Sequence, residues 1–434
     1  MRSILGKSIL LPAVILFFGL LIRVIYPTQS TFHFDQEQVA TNAMKIISGK
    51  PVLIGPKIGP AQFFLPPLYY YLAAPYFFLM NGHPTSLFFL SGTISLLTGF
   101  TIYYLFSTYK SKKSGLLALF LWATSYTLIK LDRVGWNVNL MLLSSLLVYF
   151  GLSNVKNRKG ALLTSLGLAL SMHAHFSGLV LYLFSLYWFF KTKTSVKKSM
   201  LIFLPSVVFS LLPLVLFDLR HDFVNISGIK CFFTESSVSS GSSLLFRMYR
   251  SVKMTVLNFG DLILDRVSEL LLVVVGLIML TVKKKLLIKN KSFILAWILS
   301  FTVIFGVYDG HSPEYYFLMQ FPAFFEIISS YWKSKLAVFV IVLVGIVNYS
   351  NNFIEVSSQY YETLKNKIDL ISEIKSNFDE KDYFVNLTLP AGKEYGFTYL
   401  FEYYNVKSDS GDIEVKVFED DTKGKIGPYY FESI

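Results

Sequence analysis

Charged residues are scarce in this chain of 434 residues: only 16% are Asp, Glu, Lys or Arg, against about a quarter in a soluble globular domain. Hydrophobic residues make up 53% and are gathered into long uncharged runs. A helix needs roughly 20 apolar residues to cross the ~30 Å hydrocarbon core of a bilayer, and several runs reach that length. The scarcity of charge therefore argues against a soluble globular chain and indicates an all-α polytopic membrane protein.

Other absences narrow the function. The single cysteine, Cys231, excludes an intramolecular disulfide, and a buried small side chain explains it better than a reactive thiol does. The sequence has no glycine-rich phosphate loop, no GxGxxG fingerprint, no GxSxG elbow and no HExxH zinc motif. We therefore expect neither ATP-driven transport within this chain nor a competing soluble-enzyme activity.

Basic clusters set the predicted topology. The net charge is +12, and Lys and Arg stand in short clusters between apolar runs. This is the positive-inside pattern of membrane proteins, not a stripe that binds nucleic acid. Placing five clusters in the cytoplasm gives about 11 spans, beginning with a retained first helix that starts inside. The predicted spans are approximately 8–26, 86–107, 115–130, 138–153, 161–173, 176–190, 199–217, 266–282, 291–308, 315–331 and 335–349.

The segment 27–85 then forms the first outer loop. Within it, Gln36–Ser48 predicts an amphipathic helix. Pro66–Met80 is apolar and aromatic, but it is short for a span and begins with two prolines. If it crossed the membrane, the later basic clusters would lie outside, so we predict that it lies in the membrane interface.

The segment 350–434 is polar and rich in Lys, Asp and Glu. Asn351–Phe378 predicts a helix, and Tyr383–Leu387 and Ile413–Phe418 alternate as strands do. We therefore predict a transmembrane domain over 1–349, followed by a small α+β domain on the outer side.

Asp35 and Glu37 stand just after the first span, at the start of the predicted amphipathic helix. Two carboxylates at a helix start can cap it and complement its dipole. Equally, one can deprotonate an acceptor hydroxyl while the other orients a substrate or a cation. The two residues alone leave both interpretations open.

Arg133, Trp136, Asn137 and Asn139 lie at the predicted outer end of the third span. Arg and Trp can simply anchor a helix end in the interface. Alternatively, the guanidinium can grip a phosphate while Trp136 and the two amides face a sugar.

His173 and His175 occupy a predicted tight outer turn. Their spacing is weak evidence for a metal, so we favour a hydrogen-bonding role. Charged and polar residues at membrane depth are costly and are functional candidates by default. The remaining candidates on the same predicted face are Arg220, His221, His311 and Tyr315.

The sequence resembles the GT-C glycosyltransferases of the protein O-mannosyltransferase and aminoarabinose-transferase type (glycosyltransferase family 39-like) over about 8–325. The order and spacing of several short motifs carry the resemblance. They are Phe34-Asp35-x-Glu37, Gly55–Pro60, Pro66–Leu72, Asn81–Pro84, Arg133-x-x-Trp136-Asn137-x-Asn139 and Phe217–His221.

The resemblance implies a fold of many helices with interfacial helices in the first outer loop, and a donor sugar carried on a polyprenyl phosphate. It implies that Asp35 is the base, that Glu37 assists, and that Arg133 or Lys57 contacts the donor phosphate. Gln36 separates carboxylates that adjoin in the mannosyltransferases, and Leu65 stands where the aminoarabinose enzymes have Lys, so the donor sugar stays open. A divalent metal stays open too, because members of the superfamily differ in this respect.

The predicted function is therefore an inverting glycosyl transfer in the cell membrane, with the active site on the extracytoplasmic face. The acceptor is a hydroxyl of a glycan, a lipid or a protein. A transporter or flippase of lipid-linked sugars is the alternative, although the inner halves of the spans carry few charges for a polar path. A non-catalytic assembly partner with the same fold is a third hypothesis.

Overall fold

The computed structural model describes residues 2–58, 63–234, 241–263, 291–310, 312–358, 363–378, 381–419 and 428–433. The helices are α1 Arg2–Val24, α2 Phe34–Ile47, α3 Leu68–Leu79, α4 Ser86–Tyr109, α5 Lys112–Thr124, α6 Tyr126–Asp132, α7 Leu140–Ser153, α8 Arg158–Ala174, α9 Leu179–Thr192, α10 Val196–Asp218, α11 Val224–Thr234, α12 Leu244–Asp261, α13 Lys291–Val307, α14 Phe321–Ser329, α15 Lys335–Ser357, α16 Leu364–Phe378 and α17 Phe397–Tyr404. The strands are β1 Tyr383–Leu387, β2 Ile413–Glu419 and β3 Tyr429–Ser433, and short 3-10 helices include Asn137–Asn139, Phe176–Gly178 and Glu314–Gln320.

Three of the described helices, α4, α10 and α15, are long and apolar enough to cross a membrane. Helices α5 and α6 together make a fourth candidate, bent by 63° at their junction. Shorter apolar helices occur in α1, α7, α9 and α13. The predicted span 266–282 lies outside the described residues, and the layout of about 11 spans stays a prediction.

Two predicted helices are broken. The prediction of one helix over 115–130 is wrong, because Ser125 is extended at ψ 123° and interrupts the hydrogen-bond ladder between α5 and α6. The prediction over 315–331 is also wrong in part: a 3-10 helix runs to Gln320, and the α-helix begins only at Phe321. Pro322 has no N–H to donate, so it suits the first turn of α14 rather than a helix interior.

Side-chain caps mark the starts of helices that follow the basic clusters. Ser111, Asn157 and Ser334 each accept the backbone N–H three residues ahead, at the starts of α5, α8 and α15. Each cap satisfies a donor that the first helical turn cannot bond internally. These polar caps let an apolar helix begin directly after a charged loop.

Helices α1, α4 and α5 pack around Trp122, which is fully buried. A Cβ at Gly19 or at Gly99 would lie 2.4 or 2.8 Å from this indole, so the helices approach closely only because both positions are glycine. The buried guanidinium of Arg23 pairs with Asp132 at 2.7 Å and also donates to the Trp122 carbonyl. The ion pair joins α1 to α6, close to the candidate site residues that were predicted on the outer side.

The first outer loop folds into α2 and α3, which pack against each other. Helix α3 begins after the proline pair and is 12 residues long. Its buried residues Tyr69, Ala73 and Phe77 share one apolar cluster with Val39 of α2. The helix predicted over Gln36–Ser48 is confirmed, with its start two residues earlier at Phe34.

The C-terminal segment forms a three-stranded sheet with α16 and α17. Strand β1 pairs in parallel with β2, and β2 pairs antiparallel with β3. The predicted strand Tyr383–Leu387 is confirmed, and the second extends to Glu419. The buried side chains Val385 of β1 and Val415 of β2 are paired in register. The division into two domains at residue 350 stays a prediction.

Candidate active site

Asp35 lies in the first turn of α2, but it does not cap that helix. His33 is the N-cap residue: its backbone N–H donates to Gln36 Oε1 at 3.0 Å, so the Gln36 side chain bonds the start of the helix. The carboxylate of Asp35 makes no hydrogen bond with any described residue. Burial raises its pKa above the usual value for aspartate. The capping role that the sequence left open is thus filled by other residues.

Two tyrosines interact electrostatically with the Asp35 carboxylate. The hydroxyl groups of Tyr70 and Tyr315 lie within electrostatic range of it. The Tyr315 ring lies 5.0 Å from the ring of Trp136 and 5.4 Å from that of His175. The predicted candidates Asp35, Trp136, His175 and Tyr315 therefore come together although they are far apart in the chain. We call them, together with Tyr70, the Asp35 cluster.

Glu37 faces the opposite way and contacts the C-terminal segment. Its Oε1 accepts the Tyr399 N–H at 2.8 Å, and its Oε2 accepts the Gly396 N–H at 2.9 Å. These N–H groups belong to the start of α17, where Gly396 offers no side-chain cap. Glu37 thus supplies the cap of α17 from another part of the chain.

Arg133 holds the end of the first helix. Its Nη1 donates to the carbonyls of Ile22 and Ile25 at 3.1 and 2.8 Å, and its Nη2 donates to the Tyr26 carbonyl at 3.2 Å. The guanidinium also lies 4.8 Å from the ring of Phe88, and the residue is buried. It therefore donates to three backbone carbonyls at the C-terminal end of α1 and just beyond it.

Asn137 and Asn139 support the turn that carries Trp136. The Asn139 Oδ1 accepts the Trp136 backbone N–H at 3.1 Å, and its Nδ2 donates to the Leu131 carbonyl at 3.1 Å. The Asn137 side chain donates to the Ala174 carbonyl. The indole Nε1 of Trp136 is buried and has no hydrogen-bond partner among the described residues. The two amides hold the turn, and the indole N–H of Trp136 remains available to donate a hydrogen bond.

The two histidines of the α8 turn have different neighbours. His173 Nδ1 accepts the Leu68 N–H at 3.3 Å and so ties α8 to the start of α3. His175 Nδ1 lies 3.0 Å from the Ser177 hydroxyl, and its ring packs 4.9 Å from Tyr316. Burial lowers the pKa of His175 to about 4, so the imidazole is neutral at physiological pH.

Lys57 and Arg220 are exposed, and their side chains form no hydrogen bond or ion pair with the residues described. Lys57 pairs in a β-bridge with Phe64, whose N–H donates to the Asn225 side chain at 2.8 Å. The Phe64 ring lies 6.4 Å from Phe217 at the end of α10, next to Arg220. The loop of Lys57 therefore packs against the corner that carries Arg220.

Two further candidates complete the predicted set. His221 is exposed and stacks on Phe217 at 3.9 Å, with its Nδ1 2.8 Å from the Phe217 carbonyl. It thus shares the corner of Arg220. His311 lies outside the described residues.

Within the described ranges, no three His, Cys, Asp or Glu side chains are grouped so that they could hold a metal ion. Glu37, the carboxylate nearest in sequence to Asp35, already accepts two backbone N–H groups. The described residues around Asp35 therefore do not fit a metal centre.

Sequence reasoning missed Tyr70, His33 and Lys367. Tyr70 lies within the Pro66–Leu72 motif, but nothing in the run of tyrosines indicates which hydroxyl would interact with Asp35. Lys367 is fully buried in α16, although a lysine in a polar amphipathic helix is usually solvated. Only the docking of α16 on the first outer loop reveals its role.

Solved structures share this fold. The aminoarabinose transferase ArnT from Cupriavidus metallidurans, bound to undecaprenyl phosphate, matches with a TM-score of 0.61 and 11% identity, over 99% of this chain and 98% of that chain. The oligosaccharyltransferase AglB from Archaeoglobus fulgidus, in complex with an inhibitory peptide and a dolichol-phosphate, matches with a TM-score of 0.53 and 11% identity, over 96% and 70%. No family model matches the sequence, and no curated protein gives a significant match. At such low identity the likeness concerns the fold alone: the chain has the fold of ArnT, a protein of the aminoarabinose-transferase type that its sequence motifs resemble.

Proposed function

We propose that this protein is a membrane glycosyltransferase that moves a sugar from a polyprenyl-phosphate donor to an acceptor hydroxyl, with inversion. The observation that carries the proposal is the Asp35 carboxylate: it is half-buried, makes no hydrogen bond among the described residues, and interacts electrostatically with the hydroxyls of Tyr70 and Tyr315. The GT-C-like fold supports the donor class, because ArnT is bound to undecaprenyl phosphate and AglB to a dolichol-phosphate.

Asp35 acts as the general base. It takes the proton of the acceptor hydroxyl as that oxygen bonds to the anomeric carbon, while the bond from this carbon to the phosphate oxygen breaks. A general base works best when its pKa lies near the operating pH, and burial moves the pKa of Asp35 upward in that direction. A positioned base commonly contributes about 10²–10⁴ in rate.

The leaving phosphate needs positive charge more than a proton, because it departs as an anion. Lys57 and Arg220 are exposed cations on adjoining elements, and His221 shares their corner. We assign the donor phosphate to this corner. A phosphate contact by Arg133 stays a prediction, since three of its hydrogen bonds go to α1.

The sugar is placed in the Asp35 cluster. The Trp136 indole N–H can donate to a sugar hydroxyl, and the rings of Tyr315 and His175 offer apolar faces beside it. Asn137, Asn139 and His173 act through the backbone turns that they hold. The acceptor is a hydroxyl of a glycan, a lipid or a protein, and the charge pattern of the loops supports a site on the outer face of the cell membrane.

The test is the Asp35→Asn variant, assayed in membranes with a panel of undecaprenyl- and dolichyl-phosphate sugars. Asp409→Asn is the matched control, because Asp409 is an exposed carboxylate in the C-terminal segment. We expect the Asp35 variant to lose about 10²–10⁴ in transfer rate while the control keeps it. Near-normal transfer by Asp35→Asn at equal protein level contradicts the proposal. Flux of lipid-linked sugar by the purified wild-type protein, without a transfer product, would instead identify a transporter.

A further inference from the structure

The C-terminal segment is fastened to the stretch of chain that precedes Asp35. Thr31 and Thr363 form an antiparallel β-bridge, and the Leu364 N–H donates to the Ser30 carbonyl at 2.8 Å. The Tyr395 ring packs 4.8 Å from that of Phe34. Residues 30–34 are thus bonded to the C-terminal segment, in addition to their contacts with α2 and Arg133.

Lys367 of α16 makes the deepest of these contacts. Its side chain is fully buried, and its Nζ donates to the Phe32 carbonyl at 2.9 Å and to the Tyr395 carbonyl at 2.5 Å. The ammonium also lies 4.7 Å from the Phe397 ring. Burial lowers the pKa of Lys367 to about 8, while the Glu37 carboxylate acts to raise it. An ammonium group this buried is tolerated only where its donors are bonded.

Glu37 makes the second contact, on the other side of Asp35. Its carboxylate accepts two N–H groups at the start of α17, and this geometry depends on Gly396. Gly396 has φ +91°, which favours glycine, and a Cβ there would lie 2.2 Å from the Phe32 carbonyl oxygen. The first turn of α2 is therefore bonded to the C-terminal segment both before and after Asp35.

We propose that Lys367 and Glu37 form a clamp through which the C-terminal segment positions Asp35, so that both are positioning residues and neither is catalytic. The inference rests on the proposed function for its kinetic consequence, but the clamp itself is a physical contact that can be measured without any transfer assay. It gives the C-terminal segment a defined role, which is to hold the first turn of α2 at the Asp35 cluster.

The first test is hydrogen exchange on the full-length protein in nanodiscs. Lys367→Met keeps the length of the side chain and removes its donors. Lys375→Met is the matched control: Lys375 lies on the same helix and donates to the Tyr404 carbonyl at 2.9 Å, away from residues 30–37. We expect Lys367→Met to speed exchange in both 34–38 and 393–399, and Lys375→Met to leave 34–38 unchanged. Unchanged exchange at 34–38 in Lys367→Met overturns the clamp.

The second test is kinetic and uses Glu37→Gln, which removes the charge with little change of shape and covers the case in which Lys367→Met does not fold. A displacement of about 1 Å can cost 10²-fold in rate, so we expect kcat to fall by up to about that factor, with the donor KM unchanged. The acid limb of the pH profile should stay that of the wild type, since Asp35 remains the base. A raised donor KM or a shifted acid limb overturns the positioning role.

The two proposals fail in different ways. If Lys367→Met opens both segments but Asp35→Asn transfers normally, the clamp stands and the proposed function falls. If Asp35→Asn abolishes transfer but Lys367→Met leaves exchange and kcat as they were, the function stands and the clamp falls.

Discussion

Two faces of α2 carry the same chemical group in opposite surroundings. On one face the Asp35 carboxylate is half-buried, interacts electrostatically with the hydroxyls of Tyr70 and Tyr315, and bonds to no described residue. On the other face, two residues further, the Glu37 carboxylate accepts two backbone N–H groups of the C-terminal segment. A carboxylate without bonds can take a proton from a substrate, whereas a fully bonded one is better suited to hold structure. The contrast assigns chemistry to Asp35 and positioning to Glu37.

The largest expected effect on the transfer rate is that of Asp35→Asn, and a double variant with changes on both faces tests the role of Glu37. Asp35→Asn should lose about 10²–10⁴ in transfer rate, and Glu37→Gln should lose less. If Glu37 acts only by positioning Asp35, the double variant should transfer no more slowly than Asp35→Asn alone, because the group that was positioned is gone. Single-turnover rates of the four proteins provide the measurement. Losses that multiply in the double variant would mean that Glu37 has chemistry of its own.

A prediction of intermediate size applies the same contrast, between unbonded and bonded charged groups, to the cationic side chains. Arg220→Met and Lys57→Met remove exposed, unbonded charges, and each should raise the donor KM about 10-fold with little change in thermal stability, since a hydrogen bond to a charged group contributes about 1.5–3 kcal/mol. Arg133→Met should instead lower the thermal stability and leave the donor KM nearly unchanged. It removes a donor from the Ile22, Ile25 and Tyr26 carbonyls. The Tyr26 carbonyl keeps the Gln29 N–H, but a buried carbonyl left without a donor costs about 1–3 kcal/mol.

Thermal unfolding and donor saturation curves of these variants check this prediction. If Arg133→Met kept its stability and raised the donor KM instead, the sequence-based assignment of the phosphate to Arg133 would be the better one.

The smallest expected effect is a pH dependence at the N-cap of α2. Burial, together with the charges of Lys367 and Lys393, lowers the pKa of His33 to about 4. Between about pH 4 and pH 6.5 the unfolded imidazole therefore binds a proton that the folded one does not, so stability falls as the pH falls through this window. His33→Asn places a residue favoured at the N-cap that does not titrate, and it should flatten this slope in thermal melts. An unchanged slope would show that His33 does not cause this pH dependence of stability.

Local sequence signals predicted the parts of the fold that local physics determines. Helix α2 and the first two strands followed from the periodicity of apolar residues. Helices α11 and α12 were missed, because the segment between the spans was treated as one outer loop. Strand β3 was missed as well: Tyr429–Ser433 is short, and it is a strand because of its pairing with the distant β2.

The candidate site was predictable in membership but not in roles. Asp35, Trp136, His175 and Tyr315 were named from the sequence, and they meet in the structure. Which partner each side chain would find depends on packing between distant segments. The amides of Asn137 and Asn139 bond to nearby backbone, as Asn side chains readily do, and no spacing rule could separate that outcome from a contact with sugar.

The central claim is that Asp35 activates an acceptor hydroxyl for direct displacement at the anomeric carbon. Its most direct test is the anomeric configuration of the product, determined by NMR after transfer from a donor of known configuration by the purified protein. Direct displacement predicts that the configuration is inverted in every product molecule. Retention would contradict the account, because it requires two displacements and would make the carboxylate a nucleophile rather than a base.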